Sequence, residues 1–429
     1  MMYTTAGHFA EPRARPGEGA PFVAVAGLSA RMLAQSAAHA GYQVVALDLF
    51  GDRDTRLYSK LWIDIGGQGL SIDRGKLQAA LERVARLPRL LGFVTGSGLE
   101  PHIDFLQHAL GLTRLPRLIG NDARAAAAVR EPRRFFALLD ELGIAHPDVA
   151  FERPERPEGW LRKQADGCGG THIRAAASAD ANADAQANSS GYFQRQSAGL
   201  SMSALFIAAQ RDASIVGYAE QLCVASGALP YVHAGSLGPI DLPARVTEQI
   251  AFAVRSIASR ANLRGLHSLD FLLDGDDISV LEVNARPSST MALYERAARD
   301  AWPRGLLAAH IDACLHDRLP GSRMNGPTSA PMNAPISAPS CRVAQQVVFA
   351  PEAFTVTRRF SDTLYVDPVC HDIPNAGTRI EAGQPVCTVL VTGDSRASLQ
   401  RELQRHTQRL LQHIETCLEP AHESVDSHG

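Results

Sequence analysis

The chain has 429 residues, 45% of them hydrophobic and 20% charged, with a formal net charge of −3 at pH 7. That length allows two or three domains with cores of their own, and the near-neutral balance excludes bulk attraction to nucleic acid or to a membrane surface. No run of about 18 apolar residues is present to span a bilayer. The seven cysteines, without a CxxC pair, suit a reducing compartment better than a disulfide framework, so a cytoplasmic address is expected.

Residues 1–20 are polar and proline-rich and read as a disordered tail rather than a signal peptide, because they lack an apolar core. Order begins with the apolar strand 22–26, a turn at Gly27, a helix from Ser29 to Ala40 stopped by Gly41, and a second strand "QVVALDLF". This is a βαβ unit on a parallel sheet, and it opens a Rossmann-like domain over 21–121. Asp48 stands where a dinucleotide fold places its ribose acid, but Gly27 is alone and Ala30 and Leu33 fill the other glycine slots. A scaffold or substrate platform fits better than an NAD site. "LLGFVTGSGLE" (90–100) is a strand running into a glycine turn, the kind of loop that faces a ligand at the carboxyl end of a parallel sheet.

From Asp122 to Leu142 the spacing predicts a helix, and "GIAHP" ends it. Residues 160–174 and 192–209 read as strands with turns, separated by an alanine- and asparagine-rich insertion at 175–190. An amphipathic helix at 246–263 leads into the hairpin "SLDFLLDGDDISVLEVNARP", turned at "DGDD". A Pro/Ala/Ser/Asn linker spans 318–341. Beyond it, 342–392 alternates like a small β module with turns at Gly377 and Gly383, and a polar helix from about 394 to 417 follows.

The hairpin carries the chemistry. Alternate residues of a strand share a face, so Glu282, Asn284 and Arg286 form one row, and the turn brings Asp270 opposite them. A solvated surface hairpin would explain Asp274, Asp276 and Asp277, but not a glutamate and an asparagine flanked by Leu281 and Val283. Three oxygen side chains on adjacent strands suit Mg²⁺, which takes one or two carboxylates plus waters and substrate phosphates. A matching phosphate loop lies in "WLRKQADGCGGTHI", where Lys163 ends a strand and Gly167, Gly169 and Gly170 follow. Glycine amides approach phosphate closely and the lysine adds a point charge. "GLSIDRGKL" (69–77) has the wrong length and ending for the usual P-loop.

A strand lysine before a glycine hairpin, then "YFQRQSAGLSMSALFIA", an acid strand and a terminal "LEVNARP" together resemble the ATP-grasp superfamily. The resemblance runs in order from the βαβ start through Glu295 and on to the β module. It implies an α/β chain of the α+β ATP-grasp type, with a Rossmann-like N-terminal domain, a two-lobed grasp domain over 122–317 (glycine-loop lobe about 155–213), and a C-terminal β module and helix over 342–429. It further implies ATP with Mg²⁺ or Mn²⁺. Lys163 would touch the phosphates, Gly167, Gly169 and Gly170 would form the lid, and Gln194, Arg195, Gln196 and Ser197 would read adenine. Asp270, Glu282 and Asn284 would hold the metal, and Arg286 would steady the transferred phosphoryl group. Arg133 takes the place of a usual family lysine. Ser288 and Ser289 are implied contacts for an acid, and Ser29, Arg31, Ser97 and Glu100 for an acceptor.

The implied chemistry is amide formation from a small carboxylate and an amine through an acyl phosphate. The N-terminal stretch, "TGSGLE" and "DIPNAGTRIEAGQPVCTVLVTG" resemble ATP-grasp proteins of methylotroph tetrahydromethanopterin-linked one-carbon gene sets and, more distantly, the tyramine–glutamate ligase of methanofuran synthesis. Glutamate as the acid and a tyramine-like amine follow from that resemblance. The alternatives are an ATP-dependent carboxylase of the purine-biosynthesis type and a non-catalytic ATP-binding regulator. No lysine follows Lys163, so the β module has no lipoyl-type attachment point, and a lid or homodimer surface is expected of it.

Overall fold

A computed structural model describes residues 19–106, 115–165, 167–178, 191–226, 229–320 and 341–418. Most of the expected tail at 1–20, of the insertion at 175–190 and of the linker at 318–341 lies outside the described residues.

Four short strands, β1 (Phe22–Ala26), β2 (Gln43–Asp48), β3 (Leu61–Asp64) and β4 (Leu90–Thr95), form a parallel sheet in the order β3-β2-β1-β4. Val23 and Val25 pack into one core, with Leu33 of the helix Arg31–His39, and Ala24 and Ala26 into another, with Leu77 and Leu81 of the helix Arg74–Val84. Burial on both faces is what a parallel sheet with flanking helices demands. Asp48 is fully buried and accepts the N–H groups of Ala30 and Gly51, each at 2.9 Å, and the indole N–H of Trp62 at 2.7 Å. It anchors the start of the first helix, where a ribose acid would have to face a ligand.

The helix expected over 122–142 is two helices, Ala123–Arg130 and Pro132–Leu142. Pro132 has no N–H and disfavours helical backbone at the residue before it, so Glu131 sits at ψ 117°. The Glu131 carboxylate then caps the second helix by accepting the N–H groups of Arg133 and Arg134.

A small antiparallel sheet follows, formed by β5 (Val149–Ala150), β6 (Trp160–Gln164), β7 (Arg174–Ala175) and β8 (Gly191–Arg195) in the order β5-β8-β6-β7. Facing it is an eight-stranded sheet. Its first half joins β9 (Leu200–Ala209), β10 (Asp212–Ser226), β11 (Leu229–Gly238) and the expected hairpin of β12 (Gly265–Asp274) and β13 (Asp277–Asn284), in the order β13-β12-β9-β10-β11. β10 and β11 were not legible as strands. The middle of β10, residues 215–220, is buried on both faces and so has no alternation to betray it. The amphipathic helix Ala244–Ala261 packs its apolar side on this sheet and ends at Asn262 in the left-handed conformation.

The closing module grows out of the same sheet. β14 (Arg342–Phe349) pairs with β11, and β18 (Pro385–Gly393) with β14, while β16 (Cys370–His371) completes the edge. A Cβ at Gly235 would lie 2.0 Å from the Gln345 carbonyl oxygen, so glycine lets β14 close on β11. The pair β15 (Phe354–Thr355) and β17 (Arg379–Ile380), a helix Arg358–Val366 and the long helix Arg396–Leu418 complete the module.

Ser29 and Arg31, expected at the cleft, instead tie the N-terminal domain to this module. Ser29 Oγ donates to Asp372 at 3.1 Å, and Arg31 grips the same carboxylate through Nε at 3.1 Å and Nη2 at 3.2 Å. Asp54 lies 3.8 Å from Arg31 and accepts the N–H groups of Asp372 and Ile373. Burial alone would raise Asp372, but the Arg31 guanidinium holds it down to about 2. Arg31→Met would strand two buried carboxylates and is expected to lower the unfolding free energy by about 3–5 kcal/mol. Urea titration followed by circular dichroism checks this, and a loss under about 1 kcal/mol would contradict the latch.

Candidate active site

The two facing sheets enclose a cavity of about 630 Å³. Lys163 of β6, Cys168, Gly169 and Gly170 of the glycine loop, and Gln194 to Ser197 at the end of β8 line one side. Asp270 of β12, Glu282 and Asn284 of β13, and Arg286, Ser288 and Ser289 just beyond line the other, with Ser97 reaching in from the N-terminal domain. Sequence reasoning thus brings most of its residues to one place.

The register pairs Asp270 directly with Glu282, and Ser268 with Asn284. Asn284 donates its amide N–H to Asp270 Oδ2 and to Glu282 Oε1, each at 3.2 Å, and Ser203 of β9 donates to the other Asp270 oxygen at 2.7 Å. Asp270 is 8% exposed. Burial first, and the Glu282 charge second, push it up to about 7. The Asn284 nitrogen thus serves as the neutral bridge between two carboxylates, while its oxygen accepts from Arg286 Nη2 at 3.1 Å. Among the described residues no group of three His, Cys, Asp or Glu side chains is poised for a metal. Two carboxylates and an amide fit a hard ion that keeps water and phosphate ligands, not an all-protein cage.

Lys163 is 6% exposed. Burial lowers its pKa, and the Glu282 and Asp270 charges oppose that shift. The lysine and the two carboxylates line the same cavity, from different sheets. Gly169 and Gly170 adopt φ +63° and +74°, and the Gly169 carbonyl accepts the N–H of His233 at 2.9 Å, docking the loop on β11. A Cβ at Gly170 would sit 1.7 Å from the Tyr231 carbonyl oxygen, so only glycine permits this closure. Gly167 lines a smaller adjoining cavity with Glu100, Arg130, Phe135, Phe136 and Tyr192.

At the end of β8, Gln194 is buried and among the described residues its amide nitrogen has no hydrogen-bond partner, so a polar donor stands unmet at the cavity wall. Gln196 donates to the Tyr231 hydroxyl at 2.7 Å, spanning the two sheets. Arg195 donates outward to the Glu158 carbonyl at 3.2 Å. Ser288 Oγ accepts from the Thr290 hydroxyl at 3.2 Å, and Gln345 of β14 donates to the Ser289 carbonyl at 3.1 Å, so the closing module steadies this loop.

Arg133 is not at the cavity. It is exposed on the first turn of its helix, and its guanidinium stacks 4.2 Å from the Phe151 ring. Glu100 does not stand free for an acceptor but pairs with Arg286 at 2.6 Å. Burial would raise the Glu100 carboxyl, yet Arg286 holds it below the usual range. Sequence reasoning missed Ser203, Gln221, Tyr231 and His233, all on strands of the cavity wall or floor. Burial, then the nearby Arg286 charge, bring His233 down to about 4, so its ring is neutral.

Residues 132–290 match the ATP-grasp domain family. Across the whole chain the described architecture superposes on biotin carboxylase from Campylobacter jejuni in complex with β,γ-ATP, with a TM-score of 0.66, 12% identity and coverage of 91% of this chain and 95% of that one. The chain has the ATP-grasp fold. L-amino acid ligase from Bacillus licheniformis is similar at a TM-score of 0.63 and 12% identity, covering 91% and 96% of the two chains. N5-carboxyaminoimidazole ribonucleotide synthetase from Thermus thermophilus is similar at 0.60 and 18%, covering 90% and 98%. In sequence, 83 residues are 37% identical to D-alanine–D-alanine ligase of Mycobacterium bovis, covering 18% of this chain. The chain thus spans about a fifth of that curated relative's length, 22%. The β5–β8 sheet and the β9–β13 sheet are the two walls of the cavity.

A carboxyl that titrates at about 7 must lose its proton before it can hold a cation. Its raised pKa means the neutral form prevails below that value. Apo stability from this group is therefore greatest at low pH and is lost as pH rises through about 7. If Asp270 holds a cation brought with ADP, that binding would run the other way, strengthening by up to about tenfold per pH unit until pH about 7 and then levelling off. Calorimetric titration of MgADP across that range checks it, and a flat profile would count against a cation held at Asp270.

Proposed function

We propose that the chain is an ATP-dependent carboxylate–amine ligase that forms an amide through an acyl phosphate. One observation carries this reading: Lys163, the glycine loop, the Asp270–Glu282–Asn284 set and Arg286 line a single cavity between two sheets. The ATP-grasp fold and the local identity to a D-alanine–D-alanine ligase support it.

A carboxylate resists an amine because its oxygen leaves poorly, and a phosphoryl group from ATP turns that oxygen into a good leaving group. Lys163 and the Gly169 and Gly170 backbone would hold the phosphates, and Gln194 to Ser197 the adenine. Asp270, Glu282 and Asn284 would hold Mg²⁺, which would neutralise charge between phosphate oxygens. Arg286 would meet charge on the transferred group. The docked glycine loop would keep water from the acyl phosphate until the amine displaces phosphate. Ser288 and Ser289 border the same end of the cavity and would contact the acid. Glutamate and a tyramine-like amine are the finer form of the proposal, resting on the resemblance of the N-terminal and closing segments.

ADP release with glutamate plus tyramine, against bicarbonate plus an aminoimidazole ribotide, decides the reading. Turnover requiring both acid and amine supports the ligase. Turnover with bicarbonate points to a carboxylase, and nucleotide binding without turnover to a regulator. Glu282→Gln should cut Mg²⁺-dependent ADP formation by about 100-fold with the fold intact. Near-normal turnover would defeat the metal assignment. Lys163→Ala should weaken ATP binding roughly tenfold or more, and unchanged affinity in a fluorescence titration would argue against the phosphate loop.

A further inference from the structure

Arg286 is where three segments meet. Its Nε donates to Glu100 Oε1 at 2.6 Å and its Nη2 to Asn284 Oδ1 at 3.1 Å, while Nη1 makes only a long contact of 3.4 Å with the Pro287 carbonyl. Cys168 of the glycine loop feels both charges of the Glu100–Arg286 pair. The pair itself is mostly enclosed, with side chains 13% and 14% exposed.

Glu100 is fixed from behind. The Gly98 N–H donates to its Oε2 at 2.6 Å, in the turn at the carboxyl end of β4. That turn runs through Gly98 at φ +87°, and a Cβ there would strike Leu28 at 2.3 Å. Glu100 borders the smaller cavity and not the main one, so its carboxylate reaches the cleft only through Arg286. A guanidinium is planar, so acceptors on Nε and Nη2 set its plane and the direction of its remaining N–H groups.

We propose that Glu100 is a positioning residue, which grips Nε of Arg286 so that the Nη edge faces the transferred phosphoryl group. The N-terminal domain thereby becomes part of the phosphoryl-transfer apparatus. This role rests on the ligase reading, and it differs from an acceptor contact because Glu100 acts through the arginine. It also differs from a competing anion on Arg286, which would make Glu100 an inhibitor of anion binding.

Inorganic phosphate is the probe, titrated by calorimetry into protein saturated with MgADP. In Glu100→Gln, MgADP affinity should stay within about twofold while phosphate binds roughly tenfold more weakly, the scale of one charge-assisted hydrogen bond. Unchanged MgADP affinity also reports an intact fold, and Glu100→Asp, which keeps the charge but shortens the reach, should fall between. On an Arg286→Lys background, which has no Nε, Glu100→Gln should cost nothing further. Equal losses on both backgrounds, unchanged or tighter phosphate binding in Glu100→Gln, or no phosphate binding by the MgADP-loaded wild type would each overturn the assignment. Failure of the wild type to bind MgADP would strike the nucleotide site itself.

Discussion

Two carboxylates set face to face on one hairpin, Asp270 buried and Glu282 open to the cavity, are the constraint around which this molecule is organised. Asp270 and Glu282 are register partners across one hairpin, and nothing in an apolar sheet tolerates that pairing unless positive charge surrounds it. The positive groups come from separate segments: Lys163 from the small sheet, Arg286 from beyond the hairpin, and amide N–H from Asn284 between the two acids. The acids' own hairpin supplies the amide bridge and leads into Arg286, and the facing sheet adds Lys163.

The acid hairpin was readable because strand geometry is short-range. A period of two put Glu282, Asn284 and Arg286 in one row, and "DGDD" set the turn that brings Asp270 opposite Glu282. Glycine spacing likewise located the loop over the cavity. What escaped was set by distant packing. β10 and β11, which supply Gln221, Tyr231 and His233, offer no alternation or motif. The helix bearing Arg133 was evident, but its rotation about its own axis was not, and that rotation sends the guanidinium to Phe151. Ser29 and Arg31 do sit at the carboxyl end of a parallel sheet. Their partner, Asp372, lies 341 residues from Arg31 in sequence, beyond the reach of any local rule.

The frame holding the cleft is stiffened by buried polar groups that serve as rivets between layers. Glu295 accepts from Ser36 of the N-terminal domain and from the Leu306 N–H at the start of the helix Gly305–His316. On that helix, His310 accepts the Leu266 N–H at 2.9 Å and meets the Ile119 carbonyl at 3.0 Å, and burial brings its pKa down to about 4. A neutral ring with one donor and one acceptor matches both partners. No described helix is long and apolar enough to cross a membrane.

The pairing of β14 onto β11 means that the covalent route between the grasp domain and the closing module is not what holds them together. Were the chain severed anywhere between Leu319 and Cys341, the two pieces would still share ladder hydrogen bonds and the Arg31–Asp372 grip. Such a molecule could be produced as two separately made polypeptides that reassemble, with the smaller one restoring the Gln345 prop beneath Ser289.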